Sequence, residues 1–112
     1  MSKKKGIAAE RELLHLLWDR GFAGCRVAGS GSVPQPSCDL IVGDGKHRYA
    51  IECKTSHRKK EYFNREQIED LKEFARKIGA VPLIAVKVVR EGWWCVKPEK
   101  LEPTGKAFAL SL

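Results

Sequence analysis

The sequence predicts an α/β domain, a central mixed β-sheet flanked by helices, and three observations carry that expectation. Helical and strand periodicities alternate along the chain. Two apolar runs flank the Asp44-Gly45 dipeptide, the preferred two-residue hairpin turn. The run VPLIAVKVV (81–89) is β-branched and almost wholly apolar, as a strand covered on both faces must be. With 112 residues the chain can bury one core and not two, so 1–112 reads as a single domain with no internal repeat.

The elements follow in order. Residues 1–5, MSKKK, read as a short mobile basic arm. From Gly6 to Arg20 the residues Ile7, Leu13, Leu14, Leu17 and Trp18 recur at helical spacing, and Gly21 is a natural stop. Cys25 to Ala28 is a short strand, and GSGSVPQPS (29–37) is a loop. Strands over about 38–43 and 46–54 make the hairpin, followed by a basic connector (55–60). Asn64 and Gln67 resemble a capping box, and the helix they open carries Ile68, Leu71, Phe74, Ala75 and Ile78 before Gly79 closes it. The 81–89 strand turns at Glu91-Gly92 into a strand over Trp93 to Lys97, and the tail with its FALSL carries no clear signal.

Composition narrows the function. A formal charge of +7, from 21 Lys and Arg against 14 Asp and Glu, favours a polyanionic partner. No apolar stretch approaches the roughly 20 residues that span a bilayer, and no apolar run follows the first lysines as in a secretory signal, so a cytoplasmic protein without membrane partner is expected. Cys25, Cys38, Cys53 and Cys95 form no CxxC pair, and His15, His47 and His57 add no zinc spacing. Reduced structural thiols are the expectation.

Against this ordinary background, three charges stand where a sheet buries Val and Ile. Glu52 and Lys54 are two apart on a strand and emerge on one face. With a two-residue turn, Gly43 pairs with Lys46 and Asp39 with Ala50, which puts Glu52 one diagonal step from Asp39. Glu10 shares the i, i+3, i+4, i+7 stripe with Leu13, Leu14 and Leu17, so it faces inward on the first helix, with Arg11 pointing elsewhere. Neighbouring carboxylates repel, and a Mg²⁺ ion relieves that conflict while leaving room for substrate phosphate. A lysine beside them offsets charge on a phosphate in the transition state. Each residue alone has a plain explanation: a solvated Glu-x-Lys pair, a first-turn acid, a strand-end aspartate. Their conjunction suits metal-assisted phosphodiester hydrolysis.

These residues resemble the PD-(D/E)xK nuclease superfamily, and more closely the archaeal Holliday junction resolvases. The likeness is carried by KGIAAERELLHLLWDRGF, AGSGS, CDLIVGDG, YAIECK, LKEFARKIGAVPLIAVK and GWW, over about residues 5–97. It implies a restriction-endonuclease-like fold, a homodimer, and Mg²⁺-dependent cutting of four-way DNA junctions by symmetric paired nicks, with Mn²⁺ as a substitute ion. It implies Glu10, Asp39 and Glu52 as metal acids and Lys54 as catalytic lysine. Arg11 matches a basic residue near the substrate, and Ser30 a serine of a mobile loop needed for cleavage. Cys38 stands where the superfamily often has Pro, and the insertion-like VPQP (33–36) makes Ser32 the alternative serine.

Lys3, Lys4, Lys5, Arg58, Lys59 and Lys60 are expected to track DNA phosphates, with Arg26 and His57 as weaker candidates. Phosphate contacts carry no base identity, so binding selective for structure is expected. A two-fold dimer suits two symmetric cuts, with Phe74, Trp93 and Trp94 as interface candidates and Tyr62 and Phe63 near substrate or seam. Two other readings stand beside this one: a nuclease of the same fold acting on duplex or flap DNA, and a non-catalytic nucleic-acid-binding module with structural acids.

Overall fold

A computed structural model of the chain describes residues 3–28, 34–105 and 107–112, with the side chains of residues 3–5 excepted. Helix α1 spans Lys3–Asp19, so three residues of the expected arm, 3–5, form its start. Lysine is a good helix former, and the AAERELL that follows supplies enough propensity to carry the helix back through Gly6. Strand β1 (Ala23–Arg26), β2 (Leu40–Gly43), β3 (Arg48–Ser56), β5 (Val81–Val88) and β6 (Gly92–Val96) make a five-stranded sheet in the order β1-β2-β3-β5-β6. All neighbours are antiparallel except β3 and β5, which run parallel because α2 (Arg65–Ile78) crosses between them. A Cβ at Gly24 would overlap the Ile41 carbonyl and Val42, so only glycine lets β1 approach β2 this closely.

The sheet is covered on both faces. On one, α1 lays Leu13 against Leu40, Val42, Ile51 and Ala85. On the other, Ile68, Leu71 and Ala75 of α2 meet Ala50, Ile84, Val86 and Val88. Strand β5 therefore contributes Ile84, Ala85, Val86 and Val88 with no exposed surface, as its composition predicted. Asn64 caps α2 by accepting from the Gln67 amide at 2.8 Å, and Gly79 closes it in the left-handed conformation at φ 71°.

A second sheet was not legible in the sequence. Strand β4 (Lys60–Asn64), which starts at the last residue of the expected connector, pairs with β8 (Ala107–Ser111), and β7 (Glu102–Thr104) flanks β8. Phe63, Phe108 and Leu110 of this sheet join the core under α2. Trp18 also departs from expectation: it is half exposed at the end of α1, its indole N–H donating to the Gly24 carbonyl at 3.3 Å. Its indole thus meets the backbone of β1, the edge strand, and is not packed into the core.

The hairpin turn differs from the expected two-residue loop. The Asp44 carboxylate accepts from the Lys46 and His47 amides at 2.9 and 2.8 Å, and the Asp44 amide donates to the His47 carbonyl. The loop thus widens, and Gly43 pairs with Arg48 in place of Lys46. Each β2 residue shifts by two positions on β3, which preserves its face and changes its partner.

Candidate active site

That two-residue shift assembles the site. Leu40 pairs with Ile51, so Asp39, one step on, stands directly opposite Glu52 and on the same face as it. The Asp39 amide donates to the Ile51 carbonyl at 3.0 Å. Beyond this point the ladder between β2 and β3 ends, and the Cys53 amide finds its acceptor in the Asp39 side chain at 2.9 Å. The same bond fixes the Asp39 carboxylate across the end of the strand pair.

Glu52 sits among Ala50, Lys54 and Ser56 on the α2 face of β3. Gln67, in the first turn of α2, donates its side-chain amide to Glu52 Oε2 at 3.0 Å. Burial pushes the Glu52 carboxyl up, and repulsion from Asp39 adds to the shift. Asp39 is raised too, first by burial, with the Cys53 amide opposing. Each carboxyl thus lies within charge reach of the other, and the conflict between two neighbouring negative charges favours the protonated form at this pair.

Glu10 approaches from α1 with its side chain only 16% exposed, as the helical stripe predicted. Burial and the Asp39 charge raise its pKa, and Arg26, 3.6 Å away, pulls the other way. Arg26, a weaker candidate for DNA contact in the sequence, is thus the counterion of Glu10 in this structure. Glu10 leans toward that guanidinium: among the described residues no three His, Cys, Asp or Glu side chains stand ready to hold a metal ion. Asp39 and Glu52 are the pair that does come together. Lys54 lies beside them with its Nζ 6.0 Å from the ring of the fully buried Phe63. The Phe63 ring thus faces the lysine ammonium, and Tyr62, next to it, is exposed.

The remaining candidates distribute differently. Arg11 is exposed on α1, and His57, Arg58, Lys59 and Lys60 are exposed around the β3–β4 turn. Lys59 is already paired with Glu91 at 3.0 Å, and Lys60 lies 5.6 Å from the Tyr62 ring centroid. Phe74 and Trp94 pack partly against the α2-side core and Trp93 against the α1-side core. Ser30, Ser32 and the side chains of Lys3, Lys4 and Lys5 lie outside the described residues. The four thiols are free, and burial raises those of Cys38, Cys53 and Cys95, so they are poor nucleophiles.

Over residues 1–111 the chain matches the family described as archaeal Holliday junction resolvase (Hjc). The chain belongs to that family. Similar to it is a crossover junction endodeoxyribonuclease Hjc of Archaeoglobus fulgidus, 41% identical over 108 residues, covering 96% of this chain and 79% of the relative. Another Hjc, of Methanocaldococcus jannaschii, is 39% identical and covers 96% of this chain and 76% of its own. The solved structure of Archaeoglobus fulgidus Hjc, titled a Holliday junction resolvase, superimposes with a TM-score of 0.90 at 39% identity, over 93% of this chain and 85% of that one. This resolvase-family chain thus has the mixed α/β architecture expected of it, with the central sheet between helices. No helix among its described residues is long and apolar enough to cross a membrane.

One residue of the site escaped sequence reading. Gln67 was legible as half of a capping box, a local role, and nothing in the sequence connects it with Glu52 fifteen positions earlier.

Proposed function

We propose that the chain is an endonuclease that resolves four-way DNA junctions by symmetric paired nicks, each made at a Mg²⁺ site held by Asp39 and Glu52. The observation that carries this reading is the Asp39–Glu52 pair: two partly buried carboxylates meeting at the end of a strand pair with Lys54 beside them, in a chain of the resolvase family. The donors are all oxygen, which suits a hard cation, and Mg²⁺ commonly takes one or two carboxylates with the rest of its shell left to water and phosphate. Mn²⁺ has the same ligand preference and is the expected substitute. Nucleases of this family generally depend on a divalent metal. When bound, such an ion polarises the scissile phosphodiester and supplies Lewis-acid chemistry.

The protein's own groups do the rest. The Cys53 amide and Gln67 hold the two carboxylates in place. Glu10 is the proposed third acid, within charge reach of Asp39 and Glu52 and balanced by Arg26. Lys54 offsets negative charge that builds on the phosphate. Arg11, Arg58, Lys59, Lys60 and the lysines at 3–5 are proposed to follow the DNA backbone, and Ser30 or Ser32 to approach the cut. Two cuts related by a dyad call for two copies of one site, so the working form is proposed to be a C₂ homodimer, one nuclease domain per copy, in the cytoplasm with its DNA.

The test is a panel of four-way junction, flap and linear duplex, cut with Mg²⁺ or with EDTA. Paired incision of the junction over the duplex, lost in EDTA and in Glu52→Gln, is the expected result. Cutting that persists at the wild-type rate in Glu52→Gln removes the assignment, and equal cutting of duplex moves the protein to a different nuclease activity.

A further inference from the structure

The geometry points to Gln67 as the positioning residue for Glu52, a neutral clamp that aims one carboxylate at a divalent cation without neutralising it. This rests on the proposed metal-dependent activity and adds a residue to it.

Three observations converge on Gln67. In a complete capping box the third helical residue turns its side chain back to the cap. Here only the forward half of that exchange is made, Asn64 Oδ1 accepting from the Gln67 amide at 2.8 Å. The Gln67 side chain instead spans from α2 to β3 and donates to Glu52 Oε2 at 3.0 Å, in a partly buried setting. The neighbouring Ile68 and Leu71 are almost completely buried, so the first turn of α2 is fixed against the sheet and the amide with it.

The chemistry of the donor matters as much as its place. Among the described residues no Lys, Arg or His side chain forms an ion pair with Glu52. A cationic partner would hold the carboxylate equally well, but it would compete with a metal ion for the same charge. An amide orients the oxygen and leaves the full negative charge available, as hydrogen-bond partners behind ligating carboxylates do. Glutamine also has the required reach. Asparagine is one methylene shorter, and an ionised glutamate offers no donor at all.

The experiment compares Gln67→Met, which keeps length and stem but has no donor, with Asn64→Ala, which removes the helix cap and spares the amide. Mn²⁺ binding to the DNA-free protein is followed by electron paramagnetic resonance of the free ion, and the Mg²⁺ dependence of junction cutting is measured beside it. Gln67→Met is expected to raise both the Mn²⁺ Kd and the Mg²⁺ midpoint about 10-fold. Junction binding in EDTA should stay at the wild-type level, and saturating Mg²⁺ should restore most of the cutting rate. Asn64→Ala should lower the thermal midpoint and leave the Mn²⁺ Kd within about twofold of wild type, because its loss acts on helix stability alone. Unchanged metal dependence in Gln67→Met, with Glu52→Gln inactive, overturns the inference and leaves the site assignment standing. An equal shift in Asn64→Ala also overturns it, since general loosening of α2 would then explain both. Wild-type Mn²⁺ binding and cutting in Glu52→Gln overturns the inference together with the site.

Discussion

Glu12 of α1 reaches across to Lys87 of β5, and the Trp93 indole of β6 donates to the same carboxylate at 3.4 Å. Two residues earlier on the same helix, Glu10 lies within charge reach of Asp39 and leans toward Arg26 as its counterion. The lysine bond holds the Glu12 carboxyl below the ordinary range, whereas burial and a neighbouring carboxylate lift Glu10 above it. Both acids tie α1 to the sheet, but one is satisfied by its surroundings and the other is not. A satisfied acid is a structural strut. Acids crowded against each other in a partly buried cluster need something the chain itself does not provide, and perturbed carboxylates of that kind gather where chemistry is done.

Substituting the two glutamates in parallel gives the sharpest contrast. Glu10→Gln is expected to slow Mg²⁺-dependent junction cutting by on the order of 100-fold, a few kcal/mol of lost charge stabilisation. Glu12→Gln should leave the single-turnover rate unchanged. Equal losses in the two variants would make the cluster no more special than the strut. Lys54→Met tests the cationic side of the same site, with a loss of roughly 100-fold in rate expected at unchanged junction affinity.

Stability against pH separates the regions in opposite directions. Glu52 is raised from 4.5 to about 8, so the folded chain holds that proton more tightly than the unfolded chain does. The stability linked to it is complete below the ordinary glutamate value and is lost as pH rises toward about 8. The thermal midpoint of the metal-free protein should therefore fall between pH 5 and 8 by roughly 4 °C or more, recover on adding Mg²⁺, and vary less in Glu52→Gln. Glu12 titrates low, so its contribution is present at neutral pH and lost on acidification. Because the pair is substantially exposed, Glu12→Gln should cost only about 0.5 kcal/mol in denaturant unfolding at neutral pH. A metal-free midpoint that climbs from pH 5 to 8 would contradict the crowding of Asp39 and Glu52.

The parts of this picture that could be read in advance are those fixed by local pattern. Apolar periodicity placed Leu13 inward and brought Glu10 with it. The Asn64 and Gly79 caps bounded α2, and the β-branched run of 81–89 announced a buried central strand. Parity put Glu52 and Lys54 on one face whatever the register. What failed depended on partners far along the chain. The Lys60–Asn64 strand is mostly polar in sequence and becomes a strand because Phe63 pairs with Phe108, and the tail is a strand for the same reason. Trp18 has the spacing of a core residue, yet it is half exposed and bonds the backbone of the edge strand β1.

The sequence by itself determined which residues could do the chemistry, because residue type and two-fold or 3.6-fold spacing are local properties. The tertiary structure decided which of them meet. An aspartate in a turn widened the hairpin and slid β2 along β3 until Asp39 faced Glu52, and the crossover through α2 delivered Gln67 to the second carboxylate. Register and crossover are settled by pairing over long distances, where the energy lies in contacts that no neighbouring residue can foretell.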